Sequence, residues 1–564
     1  MAASLILWSA SLGKWSDPLI DSGSEWIYAD ALSRGALLYR DVVYWFGPLT
    51  PYFHALFFAL FGSSFQSLAV AGVVGSLGTL AALYLALRRV TAPPEAAIWT
   101  ALAIPALVFM PHAGGSIIGM GYRIWHPATF ALLAVAVGVG GRSRSPLIAP
   151  LAAGSLAALA GLSRTEWGLA AWAAASLAVA LRSRRRGSTG RDVALVTAGF
   201  AAVFATGLGI FVIAAGPEAV FRDGHVLLTG LPAETRTFLV RFSGIRDWRR
   251  GLLELLYSAG MWAGAFLAIL ILTLWKKESP RARCQRVLSL GGLLALLGVT
   301  ALLGGASGAV LFSGAPAIAL AALAVGVRRG RGPRHAALVA YGFLGLVLSY
   351  RRPFHIGDSA YVAPPLLFAF VSAAGLLRAA LRGRGRARRP LRRALNVAVL
   401  LAVGLAFIGR SVQYRSDDRV PVPGTAGMLR AWPLRSREIA ALAGAIRSRT
   451  REGDGLVVFP EGQILNFLSG RGNPVRHKLF IPGYLSEENE ERILAELQRS
   501  APRAVVIWRR ASPEYGRGFF GEDYGRRIAR WIDAHYAMAP FVPEGRGPRA
   551  HATFLLGLRK EDPE

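Results

Sequence analysis

Twelve apolar segments dominate the first 410 residues, and several of them are short and rich in Ala and Gly, so close helix packing is expected. A helix needs about 20 apolar residues to cross the hydrocarbon core of a bilayer. Only 17% of the 564 residues are charged, which is too little polar surface for a soluble protein of this size. The pattern predicts an α-helical polytopic membrane protein with about 12–13 spans. The spans are expected near 66–87, 95–111, 124–141, 147–162, 168–182, 192–215, 253–275, 287–304, 308–327, 335–350, 358–377 and 394–409.

Arginine clusters between these segments predict the orientation of the chain. Cytoplasmic loops of membrane proteins carry an excess of Lys and Arg. If residues 15–64 face outward, the basic clusters at 88–89, 142–144, 182–186, 276–286, 328–334 and 378–393 all fall inside. The loop 216–250 and the tail after Arg410 then lie outside. The net charge of +30 therefore indicates topology and not nucleic-acid binding.

Both ends of the chain differ from this pattern. Residues 1–13 are apolar but too short to span, which favours a first span that begins upstream or one that is short and tilted. The tail alternates helical periodicity at 436–450, 486–500 and 522–536 with β-rich runs at 455–459, 504–508 and 552–558. We therefore predict a transmembrane domain over 1–410 and a small extracytoplasmic α/β domain over 411–564. The single cysteine, Cys284, excludes an intrachain disulfide.

The first outward segment carries two early carboxylates, Asp21 and Glu25. Ser22 and Glu25 have the spacing of a capping box, in which Ser22 caps a helix and Glu25 reaches back to its amide. The helix is expected over about 23–34, with Gly35 after its last turn. Asp21 then precedes the helix N-terminus, whose positive dipole end favours an ionised carboxylate, as a general base requires. Glu25 is therefore either a capping residue or a catalytic one.

Aromatic residues and prolines follow in the same segment. Tyr39-Arg40-Asp41 and Tyr44-Trp45-Phe46-Gly47-Pro48 are typical of an aromatic belt, and for most of these aromatics we favour membrane anchoring. Pro48 and Pro51 open an apolar helix that ends near Gly62. At about 11 residues it is too short to span and is expected to lie in the membrane interface.

These motifs resemble a known family. The patterns D-x-G-x-E-x-x-Y from Asp21, L-x-x-G-x-x-L-Y-R-D from Leu32, G-P-L-x-P-Y from Gly47 and L-F-G from Leu60 are similar to the start of the GT-C superfamily of membrane glycosyltransferases. This superfamily includes the bacterial relatives of the protein O-mannosyltransferases and of the lipid A aminoarabinose transferase. The resemblance implies an inverting enzyme with a sugar on a polyprenyl phosphate as donor. It also implies an acidic catalytic residue in the first outer loop, here Asp21, with Glu25 as the alternative.

Three further outward positions are candidate site residues. Arg351 and Arg352 break the inside bias of basic residues, and with His355 they suit either a donor phosphate or a lipid headgroup. Arg164 and Glu166 join two spans, as a solvated ion pair or as part of a cavity wall. Arg123 and His126 are expected to line the same outward opening of the helical bundle. The histidines are too scattered to predict a metal site, no cofactor motif occurs, and metal dependence stays open.

The sequence thus favours an inverting glycosyltransferase on the outer face of a bacterial inner membrane. Its acceptor would be a lipid, a glycan or a protein. The alternative is a transporter or flippase, which predicts polar residues at mid-span and broken helices in paired positions. Charges lie mainly at span ends, which favours the enzyme. A third hypothesis is a membrane scaffold whose outer domain binds a partner.

Overall fold

The computed structural model describes most of the chain. The described residues are 2–111, 115–117, 122–140, 146–184, 187–224, 231–243, 315–329, 332–349, 363–380, 388–541 and 553–560, with four single positions between 249 and 260. The predicted spans at 253–275 and 287–304 lie outside these ranges apart from three of those single positions.

Apolar helices occupy the described part of the predicted membrane region. Three of them, within Phe65–Val90, Thr189–Ala215 and Leu395–Arg415, are long and apolar enough to cross a membrane, and the other apolar helices are shorter. The helices are α1 Ala2–Ser11, α2 Gly23–Ser33, α3 Leu49–Phe61, α4 Phe65–Val90, α5 Pro93–Ala103, α6 Tyr122–Gly140, α7 Ile148–Ser163, α8 Thr165–Ser183, α9 Thr189–Ala215, α10 Ala233–Ser243, α11 Ala315–Arg329, α12 Pro333–Leu348, α13 Ala363–Ala380 and α14 Arg388–Arg415. Each predicted span within the described residues coincides with one of these helices.

Small residues let these helices approach closely. The helix α7 contacts α6, α8 and α9, and most of its buried residues are alanines and glycines. A Cβ atom at Gly154 would collide with the backbone carbonyl of Val196 on α9, so only glycine fits there. This is the packing that membrane helices use in place of large apolar side chains.

The ends of α1 and α14 meet at one face of the bundle. The two helices are in contact, and the Lys14 ammonium after α1 donates to the carbonyls of Tyr414 (2.5 Å) and Asp417 (2.8 Å). Arg410 and Tyr414 of α14 donate to the carbonyls of Pro105 and Phe109, which lie in and just after the π-helical turn that ends α5. The carboxyl ends of α1, α5 and α14 therefore lie on the same side.

The tail folds into a mixed sheet with helices. It contains β1 Val420–Pro421, β2 Arg430–Ala431, α15 Pro433–Arg449, β3 Leu456–Phe459, α16 Ile464–Ser469, α17 Glu490–Ser500, β4 Ala504–Trp508, α18 Arg526–His535, β5 Tyr536–Phe541 and β6 Phe554–Arg559. The strand order is β3-β4-β6-β5, with β3 and β4 parallel and the other neighbours antiparallel. Each helix and strand predicted in the tail overlaps an observed one, but the second and third helices begin four residues later than predicted and the first begins three residues earlier. The last helix also ends one residue earlier, where β5 begins.

The tail and the first loop, residues 15–64, share one hydrophobic core. That core joins Trp15, Tyr28 and Tyr44 of the loop to Leu456 and Val506 of the sheet. The segment after α9 also reaches the tail, because Asp223 pairs with the arginines at 476 and 492 at 3.5 and 3.0 Å. The three segments predicted to lie outside are therefore on the same side of the helical bundle.

Candidate active site

Asp21 lies in a helical turn that joins α2 without a break. The turn is a π-helical segment, Pro18–Ser22, and its amides at Leu19 and Ile20 donate to the carboxylate of Asp17. Ser22 has helical backbone angles and makes no capping hydrogen bond with its side chain. The predicted capping box is therefore wrong, and the helix begins about one turn earlier, with Asp17 as its cap. Of Asp21 itself the structure describes the backbone only.

The tail covers this turn directly. A Cβ atom at Gly23 would collide with the backbone nitrogen of Ile464, so glycine is required where α2 meets α16. The Trp26 ring packs edge-on against Phe467 at 5.1 Å between centroids. The Asp21 turn therefore lies at the junction between the first loop and the tail.

Glu25 points into a buried polar cluster. Its carboxylate lies 3.7 Å from Nδ1 of His54, and both side chains are almost fully buried. The ring of His54 lies 5.7 Å from that of His126, whose Nδ1 is 3.1 Å from the hydroxyl of Thr50. Polar side chains between apolar helices are costly and are usually retained for function or for specific packing. The cluster connects α2, α3 and α6 beneath the Asp21 turn.

Arg164 holds the first loop against the bundle. Its guanidinium pairs with Glu166 at 2.6 Å and lies 4.8 Å from the centre of the Phe46 ring. The Arg164 side chain is only 7% exposed, so the prediction of a solvated ion pair between Arg164 and Glu166 is wrong. Gly47 donates its amide to the carbonyl of Ser163, and a Cβ atom there would collide with the carbonyl of Leu162.

The aromatic residues of the first loop pack inside the protein. Tyr39 and Tyr44 are completely buried, and Trp45 stacks on Tyr484 of the tail with ring centroids 4.0 Å apart and planes 11° apart. The anchoring interpretation is therefore wrong for Tyr39 and Tyr44. The helix opened by Pro48 is confirmed as α3 and ends at Gly62, but its place in a membrane interface stays a prediction.

A second acidic group lies at the carboxyl ends of β3 and β4. The buried carboxylate of Glu461 accepts a hydrogen bond from Arg510 at 2.5 Å, and Arg510 also reaches Glu514 at 2.7 Å. Burial raises the pKa of Glu461 to about 7 against the opposing effect of Arg510, with smaller raising contributions from Glu514 and Asp17. This cluster therefore lies near the base of the Asp21 turn.

Sequence analysis did not single out Glu461 or Arg510 as site residues. A signal for them was present, because both follow apolar β-runs, and ligands in α/β sheets bind at the carboxyl ends of strands. Arg351, Arg352 and His355 lie outside the described residues, and of Arg123 only the backbone in the first turn of α6 is described. Within the described ranges no group of three or more His, Cys, Asp or Glu residues is placed to hold a metal ion.

The arrangement suits proton transfer at the end of the bundle that meets the tail. The turn that carries Asp21 continues into α2, which holds Glu25 beside His54. Asp17, the cap of the same turn, lies close enough to Glu461 to contribute to its raised pKa. Such a combination can hold a proton acceptor in a fixed position.

The sequence matches no family model and no curated protein. Among solved structures, the chain is similar to ArnT from Cupriavidus metallidurans in the apo state, with a TM-score of 0.54 and 13% identity over 99% of this chain and 96% of that chain. ArnT bound to undecaprenyl phosphate gives a TM-score of 0.55 with the same identity and coverage. The oligosaccharyltransferase AglB from Archaeoglobus fulgidus gives 0.49 at 14% identity over 90% of this chain and 68% of that chain, too low to establish a common fold.

ArnT is a lipid A aminoarabinose transferase of the GT-C superfamily. The chain therefore has a fold similar to that of ArnT, as the predicted resemblance implies. At 13% identity the likeness shows the fold alone.

Proposed function

We propose that this chain is a membrane glycosyltransferase, which moves a sugar from a polyprenyl-phosphate donor to an acceptor hydroxyl on the outer face of a bacterial inner membrane. The likeness to ArnT over nearly the whole of both chains supports the proposal most strongly. ArnT has been solved with undecaprenyl phosphate, the kind of lipid that the proposed donor would leave behind. The acceptor would be a lipid, a glycan or a protein.

In the proposed reaction, Asp21 accepts the proton of the acceptor hydroxyl. The hydroxyl oxygen forms a bond to the anomeric carbon from the side opposite the phosphate, so the configuration at that carbon inverts. The bond between the carbon and the phosphate oxygen breaks, and the lipid phosphate leaves with the electron pair. Arg351, Arg352 and His355 would hold that phosphate and stabilise its developing charge. The proton then passes from Asp21 to water.

Asp21 is favoured over Glu25 as the base because of their different surroundings. The Asp21 turn adjoins the tail at the outer end of the bundle, where an acceptor would arrive. Glu25 is 3% exposed and lies beside His54, which suits a residue that orients the first loop. Glu25 remains the alternative base in this proposal.

The candidate cavity residues would act as supports for the first loop. Arg164 and Glu166 tie Phe46 to the turn between α7 and α8, and His126 extends the cluster around Glu25. Arg123 belongs to the same first turn of α6. In this proposal residues 1–410 are the transferase domain, and 411–564 form an extracytoplasmic α/β domain that covers the Asp21 turn.

Transfer of label from lipid-linked sugars tests the proposal. Full-length protein in nanodiscs would receive a panel of undecaprenyl-phosphate sugars with a radiolabelled sugar, together with lipid, glycan and protein acceptors from bacterial envelopes. We expect label to move to an acceptor as undecaprenyl phosphate appears in equal amount. If the labelled donor instead crosses the bilayer of proteoliposomes unchanged, and no product forms, the chain is a flippase and the proposal is wrong.

A further inference from the structure

A patch of exposed apolar residues lies where the tail leaves the helical bundle. Trp432 and Leu434, at the start of α15, are 58% and 47% exposed, and Val420 in β1 is 36% exposed. Val420 pairs with Ala431, the residue directly before Trp432 in the chain, so the three exposed residues lie close to one another in the hairpin and the start of α15. Large exposed apolar patches usually mark a binding surface. We call this surface the hairpin patch.

The hairpin patch lies beyond the end of a lipid-facing helix stripe. On α14, Val397, Leu401, Ile408 and Val412 are each at least 44% exposed, at the spacing of one helix face. This face is apolar from its first to its last member, as expected of a helix in contact with lipid tails. The stripe ends three residues before the end of α14, and β1 begins only five residues after that end.

Hydrogen bonds fix the hairpin at the level where α1 and α14 end. The amide of Arg430 in β2 donates to the carbonyl of Gly13, two residues after α1, at 2.9 Å. Arg419 donates to the carbonyl of Lys14 at 2.8 Å. On α1, Leu5 and Ile6 are 62% and 49% exposed, so that helix also presents apolar side chains below the hairpin.

The composition of the patch suits the boundary between lipid tails and water. Tryptophan is enriched at that boundary because its ring is apolar and its N–H group is polar. The exposed Arg415 and Arg437 lie beside the patch in sequence and suit the phosphates of lipid headgroups.

We propose that the hairpin patch inserts into the outer interface of the phospholipid bilayer and holds the tail at a fixed height above the membrane. Trp432 and Leu434 contact the upper part of the acyl chains, and the tail stays in position over the Asp21 turn. This inference rests on the exposure of these residues and on the hydrogen bonds that hold the hairpin beside the end of α1, and it holds whatever reaction the chain performs.

Site-directed fluorescence in nanodiscs tests the insertion. The chain has one cysteine, so Cys284→Ser gives a background for single labels. In one sample the fluorophore bimane is attached to the cysteine of Leu434→Cys. In the matched control it is attached to the cysteine of Asp533→Cys, because Asp533 is exposed on α18. The nanodiscs contain phosphatidylcholine with a spin label near the top of the acyl chain.

We expect the lipid spin label to quench most of the bimane emission at position 434 and to leave position 533 unchanged. Iodide in the buffer should instead quench the bimane at position 533 strongly and the bimane at position 434 weakly. If position 434 is quenched by iodide as strongly as position 533, and lipid has no effect, the patch lies in water and the inference is wrong. Protection of position 434 from both quenchers would assign the patch to a protein contact and would equally overturn it.

Discussion

Replacing Glu461 with Gln should stabilise the junction between the tail and the first loop at neutral and alkaline pH. Burial raises the pKa of this carboxyl from 4.5 to about 7. A group whose pKa is higher in the folded chain stabilises the fold fully below pH 4.5 and loses that contribution as the pH rises through about 7. Each tenfold change in proton affinity corresponds to about 1.4 kcal/mol, so the whole contribution is about 3 kcal/mol.

The difference between the variant and the wild type is therefore expected to depend on pH. Between pH 5 and pH 8, Glu461→Gln should gain about 2–3 kcal/mol over the wild type in the free energy of local opening. The amide oxygen of Gln still accepts from Arg510, which retains Glu514 as a partner at 2.7 Å. Hydrogen exchange of the amides in 456–468, in the full-length protein and corrected for the intrinsic effect of pH, measures that free energy.

Glu522→Gln is the matched control, since that carboxylate is 63% exposed on the same part of the tail. The control should follow the wild type at every pH. A Glu461→Gln variant that is less stable than the wild type at both pH 5 and pH 8 would refute the argument. In that case the ion pair with Arg510, and not burial, governs the carboxyl.

Two further substitutions test how the tail is held. Trp45→Ala removes the stacked contact with Tyr484, and it should cost about 1 kcal/mol beyond the lost apolar area, seen as faster hydrogen exchange in the tail at 479–486. Burial acts to raise the pKa of Asp223, but the hydrogen bond and charge of Arg492 hold it below its ordinary value. The stabilisation from Asp223 is therefore present at neutral pH and lost in acid. Asp223→Asn should therefore weaken tail docking by up to about 1 kcal/mol at neutral pH and low salt. The effect should be smaller in high salt or in acid, and an effect that grows with salt would contradict the ion-pair account.

The helices of the membrane region could be predicted closely from the sequence. Apolar runs and their arginine ends are local signals, and α4 and α9 begin and end within three residues of the predicted spans. The glycines after α2 and α3 also mark observed helix ends, because Gly35 and Gly62 have positive φ angles of 93° and 83°. Local chemistry fixes these features, and no distant contact is needed to place them.

The cap of α2 was harder to predict. Ser22 and Glu25 have the spacing of a capping box, but Asp17 and Pro18 form an equally good start five residues earlier. The earlier start prevails because Glu25 is drawn into the protein beside His54, a contact with α3 that no local pattern reveals.

The junction with the tail was missed for a related reason. The same aromatic residue types anchor proteins in membranes and join two parts of one protein. Trp45 meets Tyr484 more than 400 residues later, so sequence alone does not separate the two roles.

β5 was missed because its partner is β6, and its segment Tyr536–Phe541 contains a proline and no alternating pattern.

Sugar transfer by an Asp21→Asn variant tests the central claim most directly. Asp30→Asn is the matched control, because Asp30 lies on the same helix and its ion pair is with Arg34, whose side chain is 73% exposed. With the wild type assayed beside them in nanodiscs, the account predicts that Asp30→Asn transfers labelled sugar at the wild-type rate. Asp21→Asn should lose at least about 100-fold in kcat while its hydrogen exchange stays the same. An Asp21→Asn variant with full transfer activity would remove this carboxylate from the mechanism.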